Sequence, residues 1–484
     1  MKFLLADPKY ICSIEKIHVG LTRFKSIFAK SNLMKVHFIA IGGSAMHNLA
    51  IALHKKGYIV TGADDEFFEP SKGRLKSYGL LPESEGWNEA NISSGLDAVI
   101  LGMHAKADNP ELLKAQELGI RIYSYPEFLY EQSKNKTRIV IGGSHGKTTI
   151  TAMILHVLKK NNVDCDYMVG AQLAGFDVMV RLTEEAKYMI LEGDEYLTSP
   201  MDRRPKFHVY QPNIALLSGI AWDHINVFPT FENYVEQFRI FIDLISPDGT
   251  LIYCKDDEVL QKICPGAGKD ITIIPYSLPD FTVVNEKTII HYQEKDYPLM
   301  IFGSHNLLNL NGARLICNQL GIEDKKFFAD IQSFSGASKR LELVARNEQT
   351  NIFKDFAHSP SKLKATIKAV KEQYPDKKLV ACMELHTYSS LRKDFLAHYK
   401  GCMDDADEAI VYFNHHAVQL KKLEQIDAGQ IREGFSCEKL EIFNDSGLLY
   451  ERLVSENWKN SNLLMMSSGN FDGIDLSALS AEIL

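Results

Sequence analysis

Residues 138–158 restrict the fold of this 484-residue chain more than any other segment. A short apolar run, Arg138-Ile-Val-Ile-Gly142, leads directly into Gly142-Gly-Ser-His-Gly-Lys-Thr-Thr149. Ile150, Met153, Ile154, Val157 and Leu158 then recur at helical spacing. A strand, a glycine turn and an amphipathic helix in that order are the context a phosphate-binding loop requires. Glycines let the backbone wrap phosphate oxygens and aim N–H groups at them, and the helix N-terminus adds a favourable dipole. Lys147 is placed to reach the β- and γ-phosphates, and the Thr148 hydroxyl to ligate Mg²⁺. The strict GxxxxGK[ST] spacing asks for glycine at 141, where the chain has Ile141, so the pattern misses its regular form by one position.

The same alternation of strand and helix runs through the rest of the chain. Lys35-Val-His-Phe-Ile-Ala-Ile41 is a strand that enters Gly42-Gly43-Ser44, and Met46, Leu49, Ala50 and Leu53 mark the helix that follows. Further strands are predicted at 58–61, 98–101, 188–191 and 214–217. Asn109-Pro110-Glu111 opens a helix that Gly119 closes. Glu131 to Thr137 reads as a polar linker. Residues 249–302 read as β-rich, with helices near 306–320 and 325–332, and Phe334-Ser-Gly-Ala-Ser338 as a hinge. Strands at 351–354, 378–383, 409–413, 440–443 and 463–466 repeat the scheme. Repeated βα units imply parallel sheets covered on both faces. The prediction is an α/β chain of three consecutive domains: a Rossmann-like one over 34–134, a central P-loop ATPase-like parallel sheet over 135–335, and a second Rossmann-like one over 336–484. Residues 1–33 are basic and weakly periodic and precede a second methionine, Met34. They read as an N-terminal extension or a misplaced start, with no role assigned.

Two acidic and histidine segments stand where such sheets place ligands, at the C-terminal edges of strands. Glu192-Gly-Asp-Glu195 follows 188–191, and Asp223-His224 follows 214–218. With the phosphate loop they suggest a Mg²⁺–nucleotide site. The first glycine cluster, with Asp64 near the offset of a ribose-binding acid, invites a dinucleotide reading. Ala40 and Ala45 occupy positions where GxGxxG needs glycine, so the diphosphate of some nucleotide is the better inference than a nicotinamide cofactor.

Composition excludes other classes. Hydrophobic residues are 45% and charged residues 24%, ordinary for a globular chain. The net charge of −8 and the lack of a basic stripe argue against nucleic-acid or anionic-membrane partners. No apolar run reaches the ~18 residues of a membrane span. The cysteines, at 12, 165, 254, 264, 317, 382, 402 and 437, form no CxxC pair and read as reduced thiols of a cytoplasmic protein. A monomer or weak homo-oligomer is expected.

Five ordered motifs together resemble the Mur ligase family over roughly residues 35–475. Gly143-Ser-His-Gly-Lys-Thr-Thr149 is similar to its GT-H-GKTT loop, with the Asp223-His224 pair downstream. Gly303-Ser-His305-Asn306-Leu-Leu-Asn309 matches G-x-H-N-x-x-N, Lys339-Arg340-Leu-Glu342 resembles the R-R-x-E hinge, and Asp355-Phe-Ala-His358-Ser-Pro360 resembles D-Y-A-H-x-P. The resemblance implies an ATP- and Mg²⁺-dependent amide ligase. A carboxylate attacks the γ-phosphate, an acyl phosphate forms, and an amine displaces phosphate from it. It implies that Gly143, Ser144, His145, Gly146, Lys147, Thr148, Thr149, His305, Asn306, Asn309, Arg340 and Asp355 serve ATP. Thr148, Glu192 and His224 would be Mg²⁺ ligands, and Lys147, Glu192 and His224 the catalytic group. Gly42, Gly43, Ser44 and Asp64 would lie against a UDP-N-acetylmuramoyl substrate, and His358, His386 and Arg392 near the amine.

The family's later-acting members carry a lysine shortly after the D-H pair, and none occurs between Ile225 and Ile245. That points to the branch acting on UDP-N-acetylmuramate itself. Glu192-Gly-Asp-Glu-Tyr196, Asp202-Arg-Arg-Pro-Lys-Phe207 and Ser124-Tyr-Pro-Glu127 look closer to the members that attach L-alanyl-γ-D-glutamyl-meso-diaminopimelate in cell-wall recycling than to those that attach L-alanine. The chain departs from the family at Ser218-Gly219, Lys339, Lys354 and Phe356. A nicotinamide-dependent oxidoreductase and a non-catalytic binder of muramyl nucleotides are the competing readings.

Overall fold

The computed structural model describes residues 33–484 except 104, 174, 226, 267, 269, 338, 339 and 438. The extension over 1–32 and the motif residue Lys339 lie outside the described residues. Four sheets carry the chain. The first has four parallel strands in the spatial order Ile59–Ala63, Lys35–Ile39, Ala98–Leu101, Ile122–Ser124. The second has seven, in the order Thr272–Tyr276, Thr250–Cys254, Ile214–Leu217, Thr137–Gly142, Tyr188–Glu192, Cys165–Met168, Val180–Arg181, and only the last pairs antiparallel. A three-stranded antiparallel meander, Phe281–Val284, Lys287–Tyr292 and Lys295–Pro298, follows it. The last sheet has six strands, in the order Glu342–Arg346, Thr350–Asp355, Ser461–Met466, Lys378–Leu385, Glu408–Phe413, Leu440–Phe443, with Glu342–Arg346 antiparallel at the edge.

The strand Thr137–Gly142 lies in the middle of the seven-stranded sheet, and its Ile139, Val140 and Ile141 are fully buried. A parallel strand covered on both faces needs such an unbroken apolar run. The helix Lys147–Lys160 covers one face, with Ile150, Met153, Ile154, Val157 and Leu158 at 0% exposure, the stripe that the sequence spacing marks. One hydrophobic cluster joins the first two sheets, from Val36 and Phe38 through Ile139 to Ala337. The six-stranded sheet has separate clusters on its two faces, one centred on Met383 and Leu464, the other on Cys382 and Leu463. Residues 334–337 between these cores have no regular structure, and Gly336 takes φ +110°.

Three local expectations need correction. The polar stretch at 131–137 is no linker: the helix Tyr125–Ser133 takes its first residues, and the next strand begins at Thr137. The reciprocal Ser124–Glu127 capping box starts that helix, and burial of Phe128 and Leu129 holds it. Within 249–302 the helix Glu258–Ile263 interrupts the strands, capped by Asp257. The edge strand Glu342–Arg346 falls in what reads as a hinge motif, because its Leu343 is 42% exposed and gives no core periodicity.

Candidate active site

The central loop is shaped by two glycines in the left-handed region, Gly143 (φ +124°) and Gly146 (φ +79°). A Cβ at Gly146 would overlap the Asn309 carboxamide, so loop and helix Ser304–Gln319 approach too closely for any other residue. No side chain caps the helix that begins at Lys147, which leaves its first N–H groups directed at the loop. Ser218 donates to the His145 carbonyl, and Ser144 N donates to the Gly219 carbonyl at 2.9 Å. The Ser218-Gly219 departure therefore buttresses the loop.

Acidic side chains converge beneath it. Lys147 Nζ donates to Glu195 Oε2 at 2.6 Å and to the Gly143 carbonyl at 2.8 Å. Burial alone would lower the Lys147 pKa, but Glu195, Asp194 and Glu192 outweigh it and the ammonium is held charged. Tyr234 OH donates to Glu195 Oε1 at 3.0 Å, which spends its one proton. The Ser144 hydroxyl, 2.8 Å away, must then donate to Tyr234 while accepting from Ala221 N. Thr148 Oγ1 donates to Glu192 Oε1 at 2.7 Å, and Gly170 N to Glu192 Oε2 at 2.6 Å. Asp194 is paired with Lys206 at 2.6 Å. Burial would raise its carboxyl, but Lys206 and Lys147 hold it well below the usual range.

Ligand atoms of Asp194, Glu195 and His224 all lie within 4.8 Å of one another. His224 holds φ +54°, a left-handed backbone uncommon outside glycine that histidine tolerates better than most side chains. Two carboxylates and one imidazole form a mainly hard donor set, which suits Mg²⁺. Asp194, Glu195 and His224 are the residues that could hold it, while the Thr148 hydroxyl is turned to Glu192. The family resemblance implies Thr148, Glu192 and His224 as ligands. The geometry joins Thr148 to Glu192 and puts His224 with Asp194 and Glu195. Tyr234 carries no motif and was missed.

The C-terminal domain meets this loop through the start of the helix Pro360–Gln373. His145 Nε2 lies 2.6 Å from Ser361 Oγ, and Lys362 Nζ lies 3.7 Å from Asp223 Oδ2. Arg340 stacks its guanidinium 4.8 Å from the Phe356 ring centroid, a face the departure from tyrosine preserves. Buried Asp355 accepts from Leu341 N and Ala357 N, and burial raises its carboxyl. Thr149, Phe302, Asn306, Gly336, Arg340 and Leu341 line a small cavity between the two domains. Asn306 is anchored by donating to the Phe302 carbonyl. Burial lowers His145 to about 3, and His305 and His358 to about 4, so all three are neutral near pH 7. Of the three residues expected near the amine, His358 packs on the Phe356 ring with Nδ1 2.8 Å from the Phe356 carbonyl, and His386 sits 3.4 Å from Glu384. Arg392 is instead engaged by Asp394.

On the first sheet, Gly42 N donates to Asp64 Oδ2 at 2.7 Å, and the helix Ser44–Lys55 begins at Gly43 without a side-chain cap. This is a second anion-ready helix start. Burial, with Asp65 beside it, pushes the Asp64 carboxyl up to about 6.

A phosphate loop, a cluster of hard donors and a C-terminal helix whose Ser361 and Lys362 reach that loop are the parts of a nucleotide-dependent enzyme. Three family models match in chain order: the Mur ligase family, catalytic domain, over 35–137, the Mur ligase middle domain over 141–317, and the Mur ligase, glutamate ligase domain over 339–469. The chain belongs to the Mur ligase family. It is an ATP-dependent, ADP-forming amide ligase of peptidoglycan synthesis that uses ATP and Mg²⁺. That assignment replaces the oxidoreductase and non-catalytic readings.

Among its relatives, the UDP-N-acetylmuramate–L-alanine ligase of Desulforamulus reducens is 31% identical over 75% of this chain and 79% of its own length. That of Clostridium botulinum is 29% identical over 90% and 95%. Among solved structures, a murein peptide ligase from Psychrobacter arcticus matches with TM-score 0.64 and 22% identity, covering 93% of this chain and 99% of its own. The UDP-N-acetylmuramate-alanine ligase of Thermotoga maritima matches with TM-score 0.67 and 18% identity, covering 93% and 98%. Among the described residues no helix is long and apolar enough to cross a membrane.

Proposed function

We propose that this ligase joins the lactyl carboxylate of UDP-N-acetylmuramate to the amine of L-alanyl-γ-D-glutamyl-meso-diaminopimelate, in peptidoglycan recycling. The observation that carries the choice is a cleft of about 300 Å³ at the C-terminal edge of the six-stranded sheet, lined among others by Lys354, Phe356, Ser467, Asn470 and Phe471. That volume stands at the lower bound of sites that take drug-sized ligands and exceeds the need of a single alanine. Half-buried Lys354 stands where the family usually has an acid, and it offers a cation to the carboxylates of an acidic peptide.

In this reading Gly42, Gly43, Ser44 and Asp64 hold the UDP moiety. Backbone N–H groups of the 143–148 loop and the Lys147 ammonium hold the ATP phosphates. The lactyl carboxylate oxygen forms a bond to the γ-phosphorus as the bond to the bridging oxygen breaks, and ADP leaves. The peptide amine, as its free base, then bonds to the acyl carbon, and inorganic phosphate leaves with the electron pair of the C–O bond and takes up the proton the amine gives away. Mg²⁺, when bound, offsets phosphate charge. Closure of the C-terminal domain at Ser361 and Lys362 excludes water from the acyl phosphate.

A second reading, transfer to L-alanine, is favoured by the curated relatives, whose names specify that reaction. ADP release with each amine in turn discriminates the two.

A further inference from the structure

We propose that Lys362 brings a positive charge from the C-terminal domain onto the terminal phosphoryl group of bound ATP, as a second phosphate-contacting cation opposite Lys147. This rests on the ligase reading above. Lys362 lies in the first turn of the helix Pro360–Gln373, directly after Ser361, whose hydroxyl is 2.6 Å from His145 Nε2 of the phosphate loop. That contact seats the helix start on the loop. The Lys362 side chain is only 26% exposed, yet among the described residues its ion pair is with Asp223 alone. At 3.7 Å that pair is longer than a hydrogen bond. Lys147, in contrast, is held at 2.6 Å by Glu195.

The charges that bear on Lys362 are those of the site itself: Asp223, Lys147, Glu195 and Arg340. A largely buried ammonium with a loose partner and two cations nearby is costly unless an anion joins it. A triphosphate on the loop is such an anion. As the carboxylate oxygen bonds to the γ-phosphorus and the electron pair of the breaking bond departs with ADP, Lys362 offsets charge on the equatorial oxygens of the group in transfer. Asp223, on the central domain, keeps the ammonium turned into the cleft between them.

The test is calorimetric binding of ATP and of ADP, with Mg²⁺ and without the acceptor carboxylate, to the full chain and to Lys362→Gln, Lys362→Met and Lys362→Arg. Gln and Met, which keep the stem, should weaken ATP by about tenfold or more and leave ADP within about twofold. Arg should restore most of the ATP affinity. In turnover, Gln and Met should lower kcat by about 10²-fold with the KM for the UDP-sugar unchanged. If ATP and ADP weaken alike, or neither changes, Lys362 is a structural partner of Asp223 and the proposal falls. Both ligands are nucleotides, so the result is independent of which amine is accepted. Failure of the tripeptide reading shows separately in the identity of the product.

Discussion

The Lys147 ammonium is held 2.6 Å from Glu195 Oε2, inside the loop it would offer to phosphate. Side-chain exposures of 13% and 1% make this a largely desolvated pair, with Tyr234 as the further donor to Glu195. Glu195 thus fixes the lysine charge at the end of the strand Tyr188–Glu192 and its turn, where the phosphates must lie.

Lys147→Ala should abolish turnover and leave the fold intact. ADP release should fall by at least 10²- to 10³-fold, the usual consequence of removing one preorganised charge stabiliser. Tyr234 still satisfies Glu195, so the far-UV circular dichroism should match the parent. Near-normal ADP release would remove Lys147 from the site.

The metal cluster gives a second test. His224→Ala removes one donor beside Glu195 and Asp194. The Mg²⁺ concentration for half-maximal ADP release should rise by about tenfold or more. A variant with an unchanged Mg²⁺ requirement would show that His224 is no ligand.

The pH dependence of stability distinguishes Asp64 from ordinary carboxylates. Burial raises its folded pKa to about 6 from the ordinary carboxyl value of 3.8. The folded state therefore favours the protonated acid, and stability tied to Asp64 is full below about pH 4 and lost as pH rises through 6. Asp64→Asn keeps an acceptor for Gly42 N and gives up the one that Asp65 N uses, so it carries a constant cost at every pH. Relative to the parent, its stability should still rise between pH 4 and pH 8, on the order of 1–3 kcal/mol. Chemical denaturation at pH 4, 6 and 8 reads it, and a constant difference at all three would contradict the assignment.

His305 acts with the opposite sign. Burial lowers its pKa to about 4 from 6.5, so the folded state resists protonation. Its contribution is present above pH 6.5 and lost as pH falls toward 4. His305→Gln should lose less stability than the parent between pH 6.5 and 4.5 in urea titrations. Parallel losses would place His305 in solvent.

Much of the fold was legible because parallel strands buried on both faces are unbroken apolar runs, as at Ile139 to Ile141, and because helix stripes such as Ile150 to Leu158 repeat at one period. The phosphate loop was legible for the same local reason. What escaped depends on contacts distant in sequence. Tyr234 matters because its helix Phe231–Asp243 packs where its hydroxyl meets Ser144 and Glu195. Lys362 meets Asp223 because the helix Pro360–Gln373 packs its start against the phosphate loop. Neither relation leaves a spacing in the sequence. The edge strand Glu342–Arg346 escaped because half-exposed residues there show no alternation.

The tripeptide assignment is tested most directly by ADP release with ATP, Mg²⁺ and UDP-N-acetylmuramate, comparing L-alanyl-γ-D-glutamyl-meso-diaminopimelate with L-alanine as the amine. The account predicts turnover with the tripeptide and little with L-alanine. Turnover with L-alanine alone would contradict it and assign the enzyme to the first step of peptide assembly.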